Sequence, residues 1–393
     1  MRTRRHFLAD AGMLLGATAC SASLFHDPAH VHAEPPAGDR VGVALFNGRN
    51  LDGWVLVNTP ADTWSIQDGM LVCSGKPTGE IRTERMYQNF ELEVEWRHMV
   101  PGGNAGIFVW ADDITARGVP FHRSVEVQVL DHGYGSGPGH TTHGDIFPIH
   151  GATMEPVNGR GGNRAFPSEE RALPSPQWNH YRIVCQDGHI QLAVNGKVVT
   201  EGRQSNPSKG YICIESEGGV VQYRGLWLRE RPDTPVAPER IATQDRGFRS
   251  LYSGLDLRGW KPTDQGGAAW KPEDWVLRFD GSVTREASRL ESTTDYELSG
   301  FVMDFRFGEA SRGLELALPG SGKALRIQPQ DDATFAKDLQ PTGDWNRLEA
   351  TRVDGQMRLT ANGSPTFLTI PAGRGRLVIQ SEGPVDLANL YVR

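Results

Sequence analysis

The chain repeats itself, and this constrains its fold more than any other feature. Residues 45–54 read LFNGRNLDGW and residues 251–260 read LYSGLDLRGW. The run WNHYRIVCQDGHIQLAVNGKVV from Trp178 returns as WNRLEATRVDGQMRLTANGSPT from Trp345. The ending GYICIESEGGVVQYRGLWLRE from Gly210 returns as GRLVIQSEGPVDLANLYVR from Gly375. Three matched blocks in one order mean two copies of a single folding unit, at 41–230 and 247–393, with a period too long for a solenoid or a propeller blade. Between them, residues 231–246 are proline-bearing and of mixed charge, as a semi-rigid linker should be.

Inside each copy the hydrophobic period is two. In Phe90–Trp96, the residues Phe90, Leu92, Val94 and Trp96 fall on one face and Glu91, Glu93 and Glu95 on the other. Asp187-Gly188 and Asp354-Gly355 mark hairpin turns, and Asn195-Gly196 and Asn362-Gly363 mark further turns of the Asn-Gly kind. No long stretch of helical period follows the N-terminal segment. Short two-faced strands joined by tight turns, with 46 glycines and 25 prolines to make them, predict an all-β chain of two tandem sandwiches. The ten tryptophans exclude a disordered chain, and a net charge of −7 excludes a nucleic-acid binder.

The first twenty residues read as an address. Arg4-Arg5 is a twin-arginine pair, followed by a short apolar run from Leu8 to Ala19. Ala17-Thr18-Ala19 offers a cleavage site and Cys20 a lipid acceptor, so residues 1–20 are expected to direct twin-arginine export and 21–40 to form a tether. The expected location is the periplasm or a membrane surface reached only through that lipid. Three cysteines remain, Cys73, Cys185 and Cys213, and their apolar surroundings predict buried free thiols.

Chemistry concentrates in the first copy. All twelve histidines precede residue 190 and the second copy has none, which suggests one working site and one supporting module. In SVEVQVLD, Val125, Val127 and Val129 point to the core, so Glu126 and Gln128 emerge together on the opposite face, with Asp131 at the strand end. A long glycine-rich loop then returns His140, His143 and Asp145 to that neighbourhood. Two imidazoles and a carboxylate also make His140, His143 and Asp145 candidates for one divalent metal ion. Asn104, Arg82 and Glu215 are further ligand-binding candidates, whereas Trp110 reads as core. Glu217 recurs as Glu382 in the histidine-free copy and reads as structural.

LFNGRNLDGW, WSIQDGML at 64–71, IRTERMYQNFELEVEWR, GGNAGIF, EVQVLD and WNHYRI with VNGK together resemble the 3-keto-disaccharide hydrolase family. The resemblance covers 41–230 and, more weakly, 247–393 as a degenerate copy. It implies a concanavalin A-like lectin/glucanase jelly roll in each copy and an exported enzyme acting on glycosides oxidised at C3. It also implies a mechanism in which a base takes the C2 proton and the C1 substituent leaves by elimination, with water adding to complete net hydrolysis. On that reading Glu126 or His143 is the base, Gln128 and Asn104 bind hydroxyls, and His140 and Asp145 take acid or metal roles. Direct glycosidase chemistry needs two carboxylates. Gln128 and Leu130 occupy the places where Glu126 could have found a partner on its own strand, which favours elimination. His143-Gly144-Asp145-Ile146-Phe147 departs from the Thr-Gly-x-x-Tyr-like segment of many relatives. The rival reading is a non-catalytic, lectin-like carbohydrate binder, which the same fold serves.

Overall fold

A computed structural model describes residues 42–263, 269–286, 288–329 and 338–393. The export signal, Cys20 and the tether expected within residues 1–40 lie outside the described residues.

Alternation builds the first sandwich as expected. One sheet runs, in spatial order, Thr153–Pro156, Lys197–Asn206, His189–Val194, Asn179–Gln186, Phe90–His98, Val221–Glu230, Met70–Cys73 and Trp64–Gln67. The facing sheet runs Trp54–Val57, Gly79–Thr83, Tyr211–Ser216, Asn104–Ala111, Ser124–Leu130 and Ile146–Ile149. Leu92, Val94, Trp96 and Ile183 from the first meet Ile81, Ile107, Val125, Val127, Val129 and Ile214 from the second in one buried cluster. Each such aliphatic side chain contributes about 1.5–3 kcal/mol by leaving water. On the other face of Phe90–His98, Glu91 pairs with Arg182, Arg229 and Arg231, and Glu95 with Arg224. The carboxylates that alternation sent outward thus find cations.

Residues 249–392 build a second pair of sheets around a separate core that includes Trp270, Phe301, Phe305, Leu316 and Leu387. The sequence repeat becomes a repeat of hydrogen bonds. The Trp54 indole donates to the Leu45 carbonyl at 3.0 Å, and the Trp260 indole to that of Leu251 at 3.2 Å. The Asn195 side chain accepts from the His180 N–H at 2.8 Å and donates to Asn179, while Asn362 does the same with Arg347 and Asn346. Both turn asparagines sit at positive φ, 47° and 51°, which asparagine tolerates better than most residues.

The stretch expected to be a spacer is a strap. Along the first sandwich, the Arg231 N–H donates to Asn89, Asp233 pairs with Lys209, and Asp245 pairs with Arg82 at 2.8 Å. Beyond it the second sandwich grips the loop 112–123 between strands Asn104–Ala111 and Ser124–Leu130. Val57 and Ile114 pack with Phe248, Val302 and Tyr391. Buried Asp304 binds Arg347 at 2.6 and 2.8 Å and accepts from the Gly118 N–H at 2.8 Å. Gly118 must be glycine here: at φ +73°, a Cβ would lie 2.3 Å from the Trp345 ring. Cys73, Cys185 and Cys213 are buried free thiols, the last two on different sheets.

Candidate active face

The site lies on the outer face of the six-stranded sheet. Glu126 projects from Ser124–Leu130 and Glu215 from Tyr211–Ser216, with Gly106 of Asn104–Ala111 between them. A Cβ at Gly106 would lie 2.9 Å from Glu126 Oε1 and 3.0 Å from Glu215 Oε2. The two carboxyls therefore reach toward each other over the one residue that offers no side chain. Glu80 stands directly across from Glu215 in the ladder and meets His122, which the gripped loop delivers. Glu80, His122 and Glu215 are almost entirely buried, and Glu126 is 7% exposed.

Burial among neighbouring charges makes Glu126 and Glu215 hold their protons. Burial, then the charge of Glu217, pushes the Glu126 carboxyl up to about 8. Burial and the nearby Glu126 push Glu215 well above the ordinary carboxylate range. Glu215 Oε2 is buried with no hydrogen-bond partner among the described residues. At the rim, the Gln128 amide donates to Asn104 Oδ1 at 3.0 Å and Asn104 donates to Glu217. Polar groups that already form a chain beside a titratable pair can exchange those bonds for sugar hydroxyls.

The expected residues divide accordingly. Glu126, Gln128, Asn104 and Glu215 come together. Arg82 does not join them as a ligand group: its guanidinium is buried, donating to the Asp113 and Thr83 carbonyls and to Asp245. Asp131 is likewise committed, accepting from the N–H groups of Gly102, Gly133 and Ser175 at 2.7–2.8 Å. The grouping of His140, His143 and Asp145 does not form. Asp145 is buried against Thr141 and Arg164, His140 contacts the Gly135 carbonyl and the Tyr134 ring, and His143 faces His132 and Glu170. A loop imposes no periodicity, so sequence spacing could not decide which of these side chains meet. Trp110 is core, its indole donating to the Gln88 carbonyl at 2.9 Å. Glu217, read as structural, stands at the rim.

Sequence reasoning missed Glu80 and His122. Glu80 carried a signal, since it flanks core residue Ile81 in a strand and so shares the outer face with Glu215. His122 carried none. Glu126 has no partner carboxylate on its own strand, yet strand order brings it Glu215 from nearly ninety residues away in sequence, so two carboxylates do meet.

A two-sheet sandwich carrying a buried acid pair on an outer sheet face is the class that fold and site define. Residues 42–229, which span the first sandwich, match the 3-keto-alpha-glucoside-1,2-lyase-like domain. A 3-keto-disaccharide hydrolase of Bacteroides thetaiotaomicron is 26% identical over 185 residues, covering 40% of this chain and 57% of that protein. The matched region thus spans little more than half of that relative. Among solved structures, a candidate glycosyl hydrolase of Parabacteroides distasonis is 23% identical, with 49% of this chain and all of that one covered and a TM-score of 0.37. A Bacillus licheniformis beta-glucanase is 15% identical, with 48% and 97% covered and a TM-score of 0.33.

Proposed function

We propose that this chain is an exported carbohydrate-active enzyme that cleaves 3-keto-glycosides by elimination. The observation that carries the reading is the match of residues 42–229 to the 3-keto-alpha-glucoside-1,2-lyase-like domain, and the Glu126–Glu215 pair over Gly106 supplies a base and an acid for it. A ketone at C3 acidifies the C2 proton. Ionised Glu126 takes that proton, and the C2–H electrons become an enediolate. Its collapse forms the C1–C2 double bond and breaks the C1–O bond, while Glu215, whose carboxyl burial pushes well above the ordinary range, supplies its proton to the departing oxygen. Water then adds across the double bond to give the free 3-keto sugar. Asn104, Gln128 and Glu217 orient the hydroxyls.

Incubating the whole protein in heavy water with a 3-keto-glucoside, and separately with its unoxidised parent, tests this. Cleavage of the oxidised sugar alone, with deuterium at C2 of the product, is expected. Cleavage of the parent would point to direct two-carboxylate hydrolysis, and turnover of neither by folded protein to a binding module. The export half of the proposal is separate. Changing Arg4 and Arg5 to lysine should leave precursor in the cytoplasm, and unaltered export of that variant would sink it.

A further inference from the structure

We propose that His132, His143 and Glu170 form a divalent-cation site beyond the end of strand Ser124–Leu130. Three separate segments bring the donors together: His132 from the turn after Ser124–Leu130, His143 from the loop before Ile146–Ile149, and Glu170 from the segment preceding Asn179–Gln186. Their ligand atoms all lie within 4.8 Å of one another. Glu170 stands 3.7 Å from His132 Nδ1 and 3.6 Å from His143 Nε2, both too long for hydrogen bonds. A four-coordinate ion with bonds of about 2.0–2.1 Å holds its ligands roughly 3.3 Å apart, so a shared ion accounts for this spacing better than direct pairing does. The rings meet edge to face at 5.2 Å, so neither blocks the other's nitrogen.

The surroundings hold these groups in place, as outer partners do in metal centres. Asp131 accepts from Gly133 N–H, closing the turn that presents His132, and from Ser175 N–H, anchoring the segment that carries Glu170. The Thr142 hydroxyl lies 3.4 Å from His143 Nδ1, on the side of the ring away from Glu170. Neighbouring Glu169 is paired with Lys197 and Arg171, while the ion partners found for Glu170 among the described residues are the two imidazoles. Two nitrogens and one oxygen suit zinc or a similar divalent transition ion, and three protein ligands leave a position open to water or substrate. Use of the ion on a ketone oxygen rests on the function proposed above; binding itself does not.

Calorimetric titration of the chelator-stripped, full-length protein with zinc, and separately with manganese, decides the site. One equivalent per chain is expected, with Tm rising as the site fills. His143→Ala and His132→Ala should each weaken binding at least about 100-fold, beyond what loss of an outer partner costs. His140→Ala should leave binding unchanged. No stoichiometric binding, or binding indifferent to both His132→Ala and His143→Ala, overturns the site. These readouts need no substrate, so failure of the proposed cleavage leaves them standing. Cleavage that falls on stripping and returns with the ion further supports the site and places it in the reaction.

Discussion

Replacing Glu126 by glutamine is expected to lower kcat/KM on a 3-keto-glycoside by about 10²–10⁴-fold, the span typical of a lost general base. The same change should make the protein more stable at alkaline pH. Glutamine keeps the shape and the hydrogen-bonding edge but removes the charge. In the folded chain the Glu126 carboxyl titrates near 8, against 4.5 for an unperturbed glutamate. Between those values the folded state holds a proton that the unfolded chain has released, so stability falls as pH rises through that window. Each unit of difference is worth about 1.4 kcal/mol, so ionised Glu126 costs the fold a few kcal/mol by pH 8 to 9. Thermal melts should therefore show little difference near pH 4 and a higher Tm for the variant above pH 8. Wild-type activity should rise from pH 6 toward 8 as the base ionises. A loss under tenfold in a folded variant, with parallel melting curves at all pH values, would remove Glu126 from the chemistry.

Replacing Asp304 by alanine should cost about 3–5 kcal/mol, because it leaves the Arg347 guanidinium largely buried and without its carboxylate. Arg347 reaches solvent with only 14% of its side chain, and Asp304 with none. Three groups lose an acceptor together: Arg347, the Gly118 N–H and the Asn389 amide. Two of these fix the loop 112–123, since Arg347 also donates to the Thr115 carbonyl and Asn389 to those of Ala116 and Val119. That loop ends at His122, which meets Glu80 in the acid row. Because the histidine-free sandwich grips this loop, residues 42–230 alone are expected to lose activity through a loosened loop despite holding every candidate catalytic group, which an assay of that half beside the whole protein checks. Denaturant titration of Asp304→Ala checks the first claim, and a change below about 1 kcal/mol, the scale of an exposed ion pair, would refute it.

Much of this is legible in the sequence. Period-two alternation placed Val125, Val127 and Val129 inward and Glu126 and Gln128 outward, because side chains on a strand can point only two ways. The Asn-Gly and Asp-Gly pairs located turns, because those residues tolerate positive φ. The repeat announced two units, and its matched Trp and Asn positions became matched hydrogen bonds. An all-β sandwich followed from these local rules.

What a side chain meets across strands or over a loop is a different kind of fact. Glu215 and Glu126 became partners through strand order, which places Tyr211–Ser216 beside Asn104–Ala111 and that strand beside Ser124–Leu130. His143 met His132 and Glu170 because a loop without periodicity folded that way. Arg82 and Asp131 looked available in sequence and were consumed by the strap and by a turn. The sequence by itself determined which face each strand residue occupies, since that depends on its immediate neighbours. Only the tertiary structure decided which acids stand together and which loop the second sandwich holds, since those depend on contacts between residues far apart in the chain.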